Sequence, residues 1–100
     1  MARRSPNMQS THDRRVRQEA ERLRRNGWNV RADLPGYRKP DPIGQGGVTP
    51  DVEAVKSGRR KLIEVETPNS VKADKDQHST LRRSAAQKSN TTFKIVVTDN

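Results

Sequence analysis

The chain has 100 residues, of which 28% are hydrophobic and only three are aromatic, so it can form one small domain with a thin core. It has no cysteine, which excludes disulfides and thiolate chemistry, and no apolar run of ~20 residues or secretory signal, which predicts a cytoplasmic protein. Its formal net charge of +9, from 21 Lys and Arg against 12 Asp and Glu, favours a polyanionic partner, nucleic acid first.

The N-terminal part of the chain predicts a basic arm followed by a helix. Residues 1–10 are polar and interrupted by a proline, which predicts a flexible arm, and a single domain is predicted over residues 11–100. Within that domain, Val16, Ala20 and Leu23 recur at helical spacing, so a helix is predicted from Thr11 to Arg25.

The middle of the chain predicts three strands and one long loop. Trp28–Leu34 alternates apolar with polar residues, as in a half-buried strand. The segment 37–49 is rich in Pro and Gly, which predicts a flexible loop. Pro50–Glu66 then predicts two short strands joined by a tight turn at Ser57-Gly58.

The last third of the chain predicts a helix and a final strand. Val71–Lys88 carries sparse apolar residues at helical spacing, and Thr91–Thr98 is β-branched and apolar. Apart from the loop, the order is helix, three strands, helix, strand. This order predicts an α/β domain with a four-stranded mixed sheet flanked by helices.

Three carboxylates are predicted to meet at one end of this sheet. Because alternate strand residues share a face, Glu64 and Glu66 point the same way, and the hairpin brings Asp51 opposite them. Hard oxygen ligands in such a group suit Mg²⁺ or Mn²⁺. The alternative is a charged, solvent-facing strand edge paired with nearby Arg and Lys side chains. The spacing alone leaves both interpretations open.

The pattern Pro50-Asp51, a hairpin, then Glu64-Val65-Glu66 resembles the PD-(D/E)XK motif of nucleases, and the element order resembles their restriction endonuclease-like core, αβββαβ. The resemblance implies that Asp51 and Glu64 bind Mg²⁺ or Mn²⁺, joined by the Val65 carbonyl. It also implies hydrolysis of DNA phosphodiester bonds by a metal-bound water. Glu66 stands where the family usually has lysine, and it would act as a base or a further ligand, which makes Asp51, Glu64 and Glu66 the catalytic set.

The family resemblance also implies contributions from the two helices. The first helix often brings another acid to the site, and Glu19 is the candidate metal ligand; the alternative is a surface acid paired with Arg15 or Arg22. Gln77 falls where related nucleases often carry a glutamine near the site. The two histidines, His12 and His78, are isolated in the sequence and do not indicate a zinc site; His78 is predicted to be solvated, with a phosphate contact as the alternative.

Basic side chains on the helices and the hairpin are predicted to hold nucleic-acid phosphates, in part through the two-pronged geometry of arginine. They are Arg14, Arg15, Arg59, Arg60, Lys72, Lys75, Arg82 and Arg83. The sequence thus predicts a Mg²⁺-dependent deoxyribonuclease, a homodimeric endonuclease acting on double-stranded or branched DNA. One alternative is a catalytically inactive DNA-binding module on the same fold, and another is a basic interaction protein without a metal site.

Overall fold

The computed structural model describes residues 6–44, 46–68 and 70–98, and it describes only the backbone of residues 6–8, 72 and 73. The elements in chain order are α1 (Pro6–Arg25), β1 (Asn29–Ala32), β2 (Val52–Lys56), β3 (Arg59–Glu66), α2 (Ser70–Ala73), α3 (Lys75–Ala86) and β4 (Thr91–Val97). The predicted α/β fold with a four-stranded mixed sheet is confirmed. Within the described ranges, no helix is long and apolar enough to cross a bilayer.

The four strands lie in chain order across the sheet. β1 pairs with β2 and β2 with β3, both antiparallel, while β4 returns through α2 and α3 to lie parallel to β3. The β2–β3 turn is the predicted one: Ser57 and Gly58 have φ of 51° and 79°. A two-residue turn whose twist matches that of the flanking strands requires positive φ at both central residues.

One face of the sheet packs against α1. The helical stripe of Val16, Ala20 and Leu23 is buried against strand residues that include Ile63 and Val65 of β3. Alternate residues of the strands therefore face α1, and the interface between this helix and the sheet holds the larger of the two buried apolar clusters.

The other face packs against α3. Leu62 of β3, Leu81 of α3 and Ile43 of the long loop form a smaller buried cluster, with Phe93 of β4 against it. Because Leu62, Glu64 and Glu66 alternate along β3, this same face carries the two glutamates toward α3. The fold therefore places the carboxylates beside a helix rather than in open solvent.

Both helical segments differ from the sequence prediction. α1 begins at Pro6, so residues 6–10 of the predicted arm are helical, and residues 1–5 of that arm lie outside the described residues. The predicted second helix is divided at Asp74 into α2 and α3.

The long loop has defined structure, where the sequence predicted a flexible segment. Ile43 and Val48 form a β-bridge, with N–H···O distances of 2.7 and 2.9 Å between their backbones. Gly44 between them has φ of 75°, and a Cβ added there would lie 2.7 Å from Thr80 Cγ2. Glycine thus lets the loop approach α3 closely and bury Ile43.

Candidate metal centre

Asp51 and Glu64 meet at the end of the sheet away from the hairpin turn. The Asp51 backbone N–H donates to Glu64 Oε1 at 2.8 Å, and the Val65 N–H donates to Asp51 Oδ2 at 2.8 Å. The strand register explains the meeting: Val52 pairs with Ile63, which sets Asp51 opposite Glu64. Strand alternation predicted this convergence from the sequence.

Glu66 is held by side chains from both segments that follow β3. Ser70 Oγ donates to Glu66 Oε2, and His78 Nε2 lies 2.9 Å from Glu66 Oε1. Ligand atoms of Glu64, Glu66 and His78 lie within 4.8 Å of one another, and all three side chains are buried. Two carboxylates and an imidazole at this separation are close enough to bind the same divalent cation.

A cavity of about 140 Å³ opens onto these groups. Six of the chain's twelve acidic residues line it: Asp13, Asp33, Asp51, Glu64, Glu66 and Asp74. No Lys or Arg is found among the described residues of the lining. A concentration of acidic side chains is costly in a buried site, and a divalent cation would relieve it.

Burial changes the protonation of both glutamates. Desolvation, with the nearby charges of Asp51 and Glu66, raises the pKa of Glu64 from 4.5 to about 9. Desolvation also raises the pKa of Glu66, although hydrogen bonds from Ser70 and His78 oppose that shift. At neutral pH and without a cation, Glu64 therefore keeps a proton that a bound cation would displace.

The first helix contributes His12 to this cavity. The ring is buried, with Nε2 3.3 Å from Asp51 Oδ2 and Nδ1 3.0 Å from Asp13 Oδ1. No role was predicted for His12 from the sequence. A signal was available, because His12 precedes Val16 and Ala20 at four-residue intervals and so lies on the apolar stripe of α1.

Two neighbouring residues of α3 contact the buried glutamates. Gln77 lies near the site as predicted, and its Nε2 donates to Glu64 Oε2 at 2.9 Å. His78 contacts Glu66 and is buried, so the prediction of a solvated ring is wrong. His78 stands three and seven residues before Leu81 and Ala85, the buried stripe of α3, and that spacing could have revealed it.

Glu19 does not join the carboxylate group, although it was the predicted ligand from α1. It is buried elsewhere, with Oε2 2.7 Å from Arg22 Nη2 and 3.6 Å from Arg15 Nε, and Oε1 3.5 Å from Lys94 Nζ. Seven residues separate Glu19 from His12, about 10 Å along the helix. The alternative prediction, an acid paired with arginines, describes its environment, with a lysine of β4 added.

The predicted phosphate-binding side chains do not form one surface at the carboxylates. Arg59 and Arg60 lie at the opposite end of β3, and Arg60 is six residues, about 20 Å along the strand, from Glu66. Arg60 also pairs with Glu53, through Nε at 2.7 Å, so its guanidinium already has a carboxylate partner. Arg15 is likewise engaged, by Glu19.

Other members of that predicted set remain exposed. Lys75 begins α3 directly after Asp74, which lines the acidic cavity, whereas Arg14 is two residues from His12 and so lies on the opposite side of α1. Arg82 and Arg83 lie two turns farther along α3, where the Arg82 guanidinium stacks 5.6 Å from the Phe93 ring centroid. The side chain of Lys72 lies outside the described residues.

Neither a family model nor a curated protein matches the chain. Carboxylate oxygens with one imidazole suit Mg²⁺ and, because of the nitrogen, Mn²⁺ or a later transition metal.

Proposed function

We propose that the protein is a divalent-metal-dependent DNA endonuclease of the PD-(D/E)XK type. The observation that carries the proposal is the meeting of Asp51, at the start of β2, with Glu64, inside β3, in a cavity lined by acids. This is the pair of residues that the motif assigns to the metal. The pair is joined to the neighbouring backbone, since Asp51 also accepts the Val65 N–H.

The proposed cation ligands are the carboxylates of Asp51 and Glu64 and the backbone carbonyl of Val65. The residues present fit such an ion, because acids line the cavity and a cation would stabilise the ionised form of Glu64, whose pKa burial raises to about 9. A divalent cation held by these residues would polarise a phosphodiester and lower the pKa of water. The protein's share is to hold the carboxylates in register.

In this proposal Glu66 takes the place of the family's lysine and accepts the proton of the attacking water. Burial raises its pKa, so it holds a proton more readily than an ordinary glutamate does. His78 and Ser70 fix one carboxylate oxygen each, which orients the group toward the cavity. His12 positions Asp51 from the opposite helix.

The net charge of +9 supports a DNA substrate. Lys75, an exposed cation next to the cavity-lining Asp74, is the proposed first phosphate contact. The proposal also includes an intracellular, DNA-associated protein and a homodimer, because a break in both strands requires two sites.

The proposal is tested by incubating the protein with supercoiled and branched DNA in Mg²⁺, Mn²⁺ or EDTA. The wild-type protein is expected to cut in either metal and not in EDTA. Asp51→Ala is expected to abolish cutting, while Asp41→Ala, at an acid that is 79% exposed and outside the cavity, leaves it intact. Binding without cutting on every substrate and in every metal would contradict an enzymatic function.

One observation favours a second candidate, a DNA-binding module that has lost catalysis on the same fold. No lysine lines the cavity among the described residues, and Glu66 already accepts hydrogen bonds from neighbouring side chains. In that case DNA binding persists in EDTA and Asp51→Ala does not change the affinity. The cutting assay above separates the two candidates.

A further inference from the structure

A second cavity, of about 560 Å³, lies on the α1 face of the sheet and is separate from the acidic one. α1 packs across β1, β2 and β3, and the cavity opens beyond it, where β3 meets β4. Its lining includes Lys61 of β3 and Lys94 of β4, which point to this face together because Lys61 pairs with Thr92 and Ile63 with Lys94. Lys61 lies five residues before Glu66, about 16 Å along β3.

The charge of this cavity is opposite to that of the acidic one. Arg22, Lys61 and Lys94 line it with a single acid, Glu19, which gives a formal charge of +2. Glu19 is buried at its wall and holds Arg22 at 2.7 Å and Lys94 at 3.5 Å. One carboxylate therefore fixes two cations in place and leaves an excess of positive charge for an anion.

An aromatic ring stands beside these cations. Trp28 is partly buried, and Lys61 Nζ lies 5.0 Å from the centroid of its ring. Cations beside an aromatic ring are the combination that binds single-stranded nucleic acid, and the volume is that of a small-ligand site. An acidic peptide would use the cations alone and would make no use of the Trp28 ring.

We propose that this cavity binds a single-stranded nucleic-acid segment, with its phosphates on Lys61, Lys94 and Arg22. The site is independent of the proposed metal centre, because it shares no lining residue with the acidic cavity. A strand held there would be anchored at a distance from the carboxylates rather than cut.

The test uses the fluorescence of Trp28, the protein's one tryptophan, during titration with short oligothymidylate in EDTA. A saturating change is expected, with an affinity that falls as salt rises. In the double variant Lys61→Ala/Lys94→Ala the affinity is expected to fall at least about tenfold, and the slope of log K against log salt to become shallower by about 0.7 per lost contact. Both lysines are exposed, so neither change opens the core.

Two matched variants control for charge. Lys39→Ala/Lys88→Ala removes the same charge from exposed positions outside the cavity and is expected to bind nearly as wild type, and Lys61→Arg/Lys94→Arg is expected to retain binding. Asp51→Asn is expected to leave the fluorescence titration unchanged, which separates this site from the proposed nuclease. The proposal is overturned by an absent fluorescence change, by equal weakening in the two alanine pairs, or by polyglutamate binding as tightly as the oligonucleotide.

Discussion

His78 Nε2 lies 2.9 Å from Glu66 Oε1, and the two side chains are 6% and 1% exposed. Glu66 comes from β3 and His78 from α3, twelve residues later, so the contact joins the central strand to the helix that covers it. A buried carboxylate and imidazole in contact fix each other's orientation. A carboxylate oxygen of Glu64 lies within 4.8 Å of the ligand atoms of both.

The first prediction concerns this contact. His78→Ala is expected to weaken Mn²⁺ binding by about 10–100-fold, because it removes either a ligand or the partner that orients Glu66. Isothermal titration calorimetry measures the affinity. Ser79→Ala, at the exposed neighbouring position of α3, is the control and should bind as wild type. Equal affinities for His78→Ala and the control would show that His78 has only a packing role.

The second prediction concerns pH. The pKa of Glu64 is raised from 4.5 to about 9 in the folded protein, so between these values the folded state binds more protons than the unfolded state. The contribution of Glu64 to the free energy of unfolding of the metal-free protein should therefore be highest below about pH 4.5 and fall as pH rises toward 9. Urea denaturation in EDTA across this range measures it.

Glu64→Gln is the control for that pH dependence. The amide imitates the neutral carboxyl that burial favours, so the variant should fold, and its stability should fall less between neutral and alkaline pH than that of wild type. A saturating divalent cation should also reduce the fall, because it stabilises the ionised carboxylate. If the free energy of unfolding in EDTA changes with pH equally in wild type and Glu64→Gln, burial does not raise the pKa of Glu64.

The third prediction concerns the loop that covers Ile43. Gly44→Ala is expected to destabilise the protein by about 1 kcal/mol or more, because φ is 75° and the new Cβ would lie 2.7 Å from Thr80 Cγ2. Urea denaturation measures the change. Gly46→Ala in the same loop meets no atom within 4 Å and should have little effect. Equal stability of the two variants would contradict the close packing of the loop on α3.

The fourth prediction concerns the smaller core. Leu81 is fully buried between α3 and β3, so Leu81→Ala is expected to cost about 2–5 kcal/mol in the free energy of unfolding. Val97→Ala removes a side chain that is 46% exposed and should change stability by less than about 0.5 kcal/mol. A small effect at Leu81 would mean that α3 is loosely attached, and the positions of Gln77 and His78 would then be in doubt.

The sheet and the carboxylate pair were predictable because their signals are local. Alternation along Arg59–Glu66 and the Ser57-Gly58 turn determine which side chains share a face, and the register follows from the turn. Those two facts place Asp51 opposite Glu64 without any knowledge of the helices.

The burial of the histidines and the surroundings of Glu19 were not predicted, because their partners are distant in sequence. His12 contacts an aspartate 39 residues away, and only its spacing from Val16 hinted at burial. Glu19 is adjacent to Ala20 on α1, and its position depends on Lys94, a residue 75 positions later on β4. A helical stripe predicts that a side chain is buried but not which strand it meets.

The most direct test of the proposed metal centre is calorimetric titration of Mn²⁺ into the protein at neutral pH, without DNA. Wild type is expected to bind the ion with release of a proton, and Asp51→Asn and Glu64→Gln are each expected to lose that binding. Asp41→Asn, at an exposed acid outside the cavity, should bind as wild type. Equal Mn²⁺ binding by all four proteins, or none by wild type, would contradict a metal centre formed by Asp51 and Glu64.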